Sequence, residues 1–152
     1  MRPPLTEIEQ AATSVYQNGH DAVAIFPVTG GMAVQPCAAF PVIVAEAHLA
    51  DRTQPWPWLA VGSVCYRAET RDTAAIEHMA GTLEDRWIAG DPTVTEQFMV
   101  AVVDKDAQAY VEFFDTHRDS RDLTQATDRT ETLTGGAILS GLLDVIRRSQ
   151  EE

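Results

Sequence analysis

TEQFMVAVVDKDAQAYVEFFD, residues 95–115, decides the fold. Its first half, Phe98-Met-Val-Ala-Val-Val103, is apolar at every position and rich in β-branched residues, the composition of a strand covered on both faces. Asp104-Lys105-Asp106-Ala107 has the composition of a turn. Beyond it, Tyr110-Val-Glu-Phe-Phe-Asp115 mixes polar with apolar positions. The spacing predicts a hairpin of Thr95–Val103 with Gln108–Asp115, the first strand central and the second less buried. A turn this short makes the pairing antiparallel.

Outward toward the N-terminus, Trp58–Arg67 (WLAVGSVCYR) reads as another clear strand. Ala22–Val28 is β-branched and runs through Thr29-Gly30-Gly31 into Met32–Gln35, a second hairpin. Pro27 cannot donate to a central ladder, so an edge or a bulge is expected there. Val42–Leu49 is ambiguous, because Val42-Ile43-Val44 favours strand and Ala45-Glu46-Ala47-His48-Leu49-Ala50 favours helix. Read as a strand, it forms a hairpin with Trp58–Arg67 through the loop Asp51–Pro57. That loop carries Pro55-Trp56-Pro57-Trp58, in which proline on both sides of Trp56 restricts the backbone to an extended path.

Three segments have helical spacing. In Leu5–Gln17 the stripe is Leu5, Ile8, Ala12, Val15 and Tyr16, with Thr6 and Glu9 as a capping box and Asn18-Gly19 as the stop. Asp72–Ala89 places Ile76, Met79, Ala80, Leu83, Trp87 and Ile88 on one side, and Ile138–Arg148 does the same with Leu139, Leu142, Leu143 and Ile146. Residues 116–134 are polar and read as a mobile or irregular connection. Strands grouped in blocks, not alternating with helices, predict one α+β domain over residues 1–152. Its antiparallel sheet has five to six strands packed with three helices, in the order α-β-β-β-β-α-β-β-α.

The chain has 152 residues with 23 acidic and 11 basic side chains, a net charge of -12. Lys105 is the only lysine and the ten arginines are scattered, so a surface that neutralises nucleic-acid phosphates is not expected. The longest apolar run, Ala38–Ala45, is far below the ~20 residues of a membrane-spanning helix. The N-terminus lacks an apolar secretory core, and the chain reads as cytoplasmic. Cys37 and Cys65 stand apart without a CxxC, as two reduced thiols. Nine acids against three bases fall in residues 69–106, half of the net charge. That concentrates it on the Asp72–Ala89 helix and its flanks.

Phosphate-binding loops, HExxH and GxSxG are absent, and no cofactor and no metal are expected. His20-Asp21 lies between a helix end and a strand and reads as a turn. Glu46 and His48 share a face if their segment is a strand, and with Cys65 they form the candidate catalytic set, an acid/base pair beside a thiol. Glu77-His78, Glu84 and Asp85 lie on the polar side of the Asp72–Ala89 helix. With Trp56 and Trp58, the residues Glu77, Glu84 and Asp85 form the candidate binding set, since tryptophans anchor interfaces and acidic faces steer basic partners.

The element order resembles that of small acidic type III secretion chaperones and related dimeric α+β domains, which implies polypeptide binding without catalysis. Gly19-His-Asp-Ala-Val-Ala-Ile-Phe26 after a helix is similar to the opening of NTF2-like cones, which implies a fold that holds small hydrophobic ligands. The helix at 72–89 departs from that second pattern. The leading expectation is a non-catalytic binding module of the chaperone, adaptor or immunity type, dimeric, whose partner is a protein with a basic surface. The alternative is a small-molecule enzyme or ligand-binding protein with a sheet-face site at Glu46 and His48, drawing on Cys65 or His78.

Overall fold

The computed structural model describes residues 2–68, 83–90, 94–125 and 133–151. In chain order these form α1 (Leu5–Gln17), β1 (Ala22–Val28), β2 (Gly31–Cys37), α2 (Pro41–Ala47), a 3-10 turn (Leu49–Asp51), β3 (Trp58–Ala68), α3 (Leu83–Ile88), β4 (Val94–Asp104), β5 (Ala109–His117), β6 (Ser120–Gln125) and α4 (Leu133–Ser149). The six strands make one antiparallel sheet in the order β2-β1-β3-β4-β5-β6.

β4 lies inside this sheet and is buried along nearly its whole length, because helices cover both faces. On one face Ile8, Ala12 and Tyr16 of α1 pack over Val23, Ile25, Phe98 and Val100. On the other, Ala45, Leu49, Leu142, Val145 and Ile146 pack over Phe26, Leu59, Met99 and Val103. The domain is thus a single α+β unit, three layers thick around one sheet. A strand between two helical layers has no solvent face, which is why its sequence shows no alternation.

Pro27 explains how β1 fits. The carbonyl of Asp21 accepts from Val64 N–H at 3.0 Å. By the two-residue period of a strand, the nitrogen of Pro27 therefore also faces β3. The β1–β3 ladder runs only from Ala22↔Ser63 to Ile25↔Ala60, so Pro27 lies beyond its end and no donor is missed. α1 ends as expected, with Gly19 at φ 103 and the N–H groups of Gly19 and His20 bonded to Tyr16 and Val15 carbonyls. Its start differs from the capping box: Pro4 is the N-cap and makes no side-chain bond, and Thr6 lies inside the helix.

The main correction concerns Val42–Leu49. It forms α2 and the 3-10 turn, not a strand in a hairpin with Trp58–Arg67. Pro41 occupies the first turn, where its missing N–H costs nothing. Pro41, Ala45 and Leu49 are buried at helical spacing. The place beside β3 that the hairpin required is taken by β1. A second correction falls in residues 116–134, where Ser120–Gln125 is the edge strand β6 and α4 already begins at Leu133. Of the helix expected over 72–89, Leu83–Ile88 is observed, and 72–82 lie outside the described residues.

Candidate functional site

Helix geometry separates the pair that a strand would have joined. Two residues on a helix are about 200° apart around the axis, so Glu46 and His48 diverge. A Glu46 carboxylate oxygen lies 3.4 Å from an Arg148 guanidinium nitrogen. The His48 ring packs on Phe26 at 4.8 Å, and Phe26 stacks on Trp56 at 5.2 Å. The expected acid/base or ligand pair is therefore not assembled. Cys65 is buried, and burial first, then the charge of Glu96, pushes its thiol up to about 12. A thiol so rarely ionised is a poor nucleophile. We expect Ellman's reagent to label the half-buried Cys37 first and Cys65 only on unfolding; equal native labelling rates contradict this packing.

Trp56 and Trp58 are only 3% and 2% exposed and belong to the cores on opposite faces of the sheet. They plug the domain and are not surface anchors, a correction to the aromatic-loop expectation. The reason is local: Trp56 N–H donates to Ser149 Oγ at 3.3 Å, and its carbonyl accepts from Gln150 Nε2 at 2.8 Å. That ties the proline-stiffened loop to the end of α4. Glu84 and Asp85 are exposed on α3, and Glu77 and His78 lie outside the described residues. Among the described residues, no group of three His, Cys, Asp or Glu side chains could hold a metal ion.

A cleft of about 440 Å³ opens where β1 stops alongside β3. Its walls are Ala38 to Ile43, Ile138 and Gly141 of α4, Glu84 of α3, and Ser63, Val64 and Tyr66 of β3, with Asp21 just before the start of β1. Phe40 and Ile43 are 71% and 63% exposed. Phe40 also adopts the left-handed conformation, φ 55 and ψ 57, which costs a residue with a side chain roughly 1–2 kcal/mol. Its carbonyl accepts the N–H groups of Ile43 and Val44 at 3.1 and 3.3 Å, so the strained residue starts α2.

Few polar groups line this recess. Asp21 holds Arg121 at 3.0 Å, and Ser63 Oγ donates to the Val64 carbonyl at 3.2 Å. Burial first, then the Glu96 charge, raises the Tyr66 phenol well above its ordinary value, so it remains protonated through the physiological range. The described residues that line the cleft include two carboxylates and no lysine, arginine, histidine or cysteine.

Phe40 and Ile43 escaped notice in the sequence because their exposure depends on α2 being a helix. With Pro41, Ala45 and Leu49 facing inward, Ile43 falls on the opposite side of the axis. The signal was the four-residue spacing of those three positions. Compared with family models, curated proteins and solved structures, the chain matches none, and the two resemblances above rest on element order and one short string.

Proposed function

We propose that this protein is an acidic, cytoplasmic, non-catalytic binding module that takes a basic, apolar segment of a partner protein into the cleft beside Phe40. The observation that carries this reading is Phe40 itself, a large aromatic residue both strained and exposed. Backbone strain concentrates at functional sites, and aromatic side chains supply binding energy at interface centres. The net charge of -12 and the exposed Glu84 carboxylate favour a cationic partner and disfavour nucleic acid. Two free thiols suit a reducing compartment. No helix among the described residues is long and apolar enough to cross a membrane.

The test is selection of a phage-displayed random peptide library against the intact chain, followed by titration of the enriched peptides. Enrichment of arginine or lysine interleaved with apolar residues is expected, with affinity falling as salt rises. Phe40→Gly should weaken binding at least tenfold while the melting temperature holds or rises, because glycine relieves the left-handed backbone. Glu84→Lys should weaken binding and flatten its salt dependence. Enriched peptides that bind Phe40→Gly and Ile43→Asp as tightly as the parent would sink the proposal, as would a library that yields no enrichment.

A further inference from the structure

β3 has eleven residues, and β4 pairs with all of them from Trp58↔Asp104 to Ala68↔Val94. On its other side β1 reaches only Ser63, and Val64 N–H to the Asp21 carbonyl is the last backbone bond across. Beyond it, among the described residues, no strand pairs with Cys65–Ala68 on that side. Since Val64 N–H points toward β1, strand alternation points the N–H and C=O of Tyr66 the same way. They face the cleft, which Val64 and Tyr66 both line.

The geometry points to recognition by strand addition: an extended, basic segment of a partner polypeptide pairs its backbone with the free side of β3 at Tyr66. Its apolar side chains lie against Phe40 and Ile43, and its cations face Glu84. This rests on the binding-module reading and names the mode of recognition. Main-chain bonds to an open strand give affinity, and pockets for alternate side chains give selectivity.

The sheet's outer edges show why this interior one differs. Outer strands are commonly blunted against pairing by proline, charge, bulges or shortness. β2 carries Pro36. β6 has six residues, includes Arg121 and Asp122, and is joined to β5 with a register shift at Thr116/His117. The stretch of β3 left unpaired on this side among the described residues, Cys65–Ala68, has no proline, and its one charged residue is Arg67. The occupant is a basic segment and not a second copy of this chain, because pairing two copies here would bring Glu84 of both together between bodies that each carry -12.

A peptide of alternating valine and arginine is the probe, titrated against the intact chain together with two versions N-methylated at one or the other alternate set of residues. One set faces β3 and the other faces solvent. One methylated peptide should lose at least tenfold in affinity while the other binds like the parent. Hydrogen exchange read by NMR should show the Tyr66 amide gaining protection on peptide addition, with the Cys65 amide unchanged. A symmetric response, both versions binding or both failing, overturns strand addition while leaving the binding module intact. If Tyr66 becomes protected with rising protein concentration and no peptide, the occupant is a second copy and the inference fails. If the parent peptide does not bind, both this inference and the binding-module reading fail.

Discussion

Gly62→Val is expected to lower stability by about 3 kcal/mol, near the upper end for overpacked cores. For a domain of this length that lowers the melting temperature by about 10 °C. A β-carbon on Gly62 would stand 2.6 Å from Phe98 Cζ and 3.0 Å from Val23 Cγ1. Gly62 pairs with Val100 across β3 and β4, which puts Phe98 on the diagonal, where an aromatic ring reaches over its neighbour. That ring cannot easily retreat, because it is fully buried and meets Tyr16 of α1 at 5.0 Å. Gly62→Ala should show the same effect at reduced size. The origin of the cost is checked by a double-mutant cycle: Gly62→Ala with Phe98→Leu should be less destabilised than the sum of the two single changes. Additive behaviour in thermal unfolding would mean that the ring is not what the glycine accommodates.

Gly62 also marks where sequence reasoning works and where it stops. WLAVGSVCYR reads as a strand because nine of its ten residues tolerate a pleated, half-buried surface. The glycine within it is a single hint of a close approach, and nothing in a lone sequence says to what. The hairpins at Thr29-Gly30-Gly31 and Asp104–Ala107 are local events, and their turn residues announce them. Val42–Leu49 is not a local event. Its first three residues favour strand and its next five favour helix, and the choice falls to the tertiary structure, where β1 already occupies the side of β3 that a hairpin would need. Everything at the cleft depends on that choice. With α2 a helix, Glu46 and His48 part company, Ile43 turns outward and Phe40 becomes the strained cap. Trp56 misleads for a related reason: prolines on both sides specify an extended backbone, not which side of it is buried. That is decided by Ser149 and Gln150, 93 and 94 residues away in the chain.

Arg52→Ala is expected to destabilise the domain by about 3 kcal/mol, because charge-assisted hydrogen bonds are worth ~1.5–3 kcal/mol each when little exposed and less near solvent. The guanidinium donates through Nε to the Ser149 carbonyl at 2.9 Å, through Nη1 to the Leu49 carbonyl at 2.6 Å, and through Nη2 to the Glu151 carbonyl. Two of these acceptors lie at the C-terminal end of α4, where carbonyls lack partners within the helix and the dipole attracts a cation. The third belongs to Leu49, the first residue of the 3-10 turn, so one planar side chain ties α2's extension to α4. Lysine keeps the charge but not the fork, and Arg52→Lys should recover less than half of the loss. The clasp includes Ser149, fully buried, whose hydroxyl donates to the Ile146 carbonyl at 2.7 Å and accepts from Trp56 N–H. Loss of Arg52 should therefore loosen the Trp56 loop as well as the helix end. Hydrogen exchange checks this: the amides of Trp56 and Gln150 should lose protection by more than the fall in global stability accounts for, while those of β4 follow global unfolding. If Trp56 and Gln150 merely track β4, the guanidinium is a surface ornament and the loop is held by packing alone.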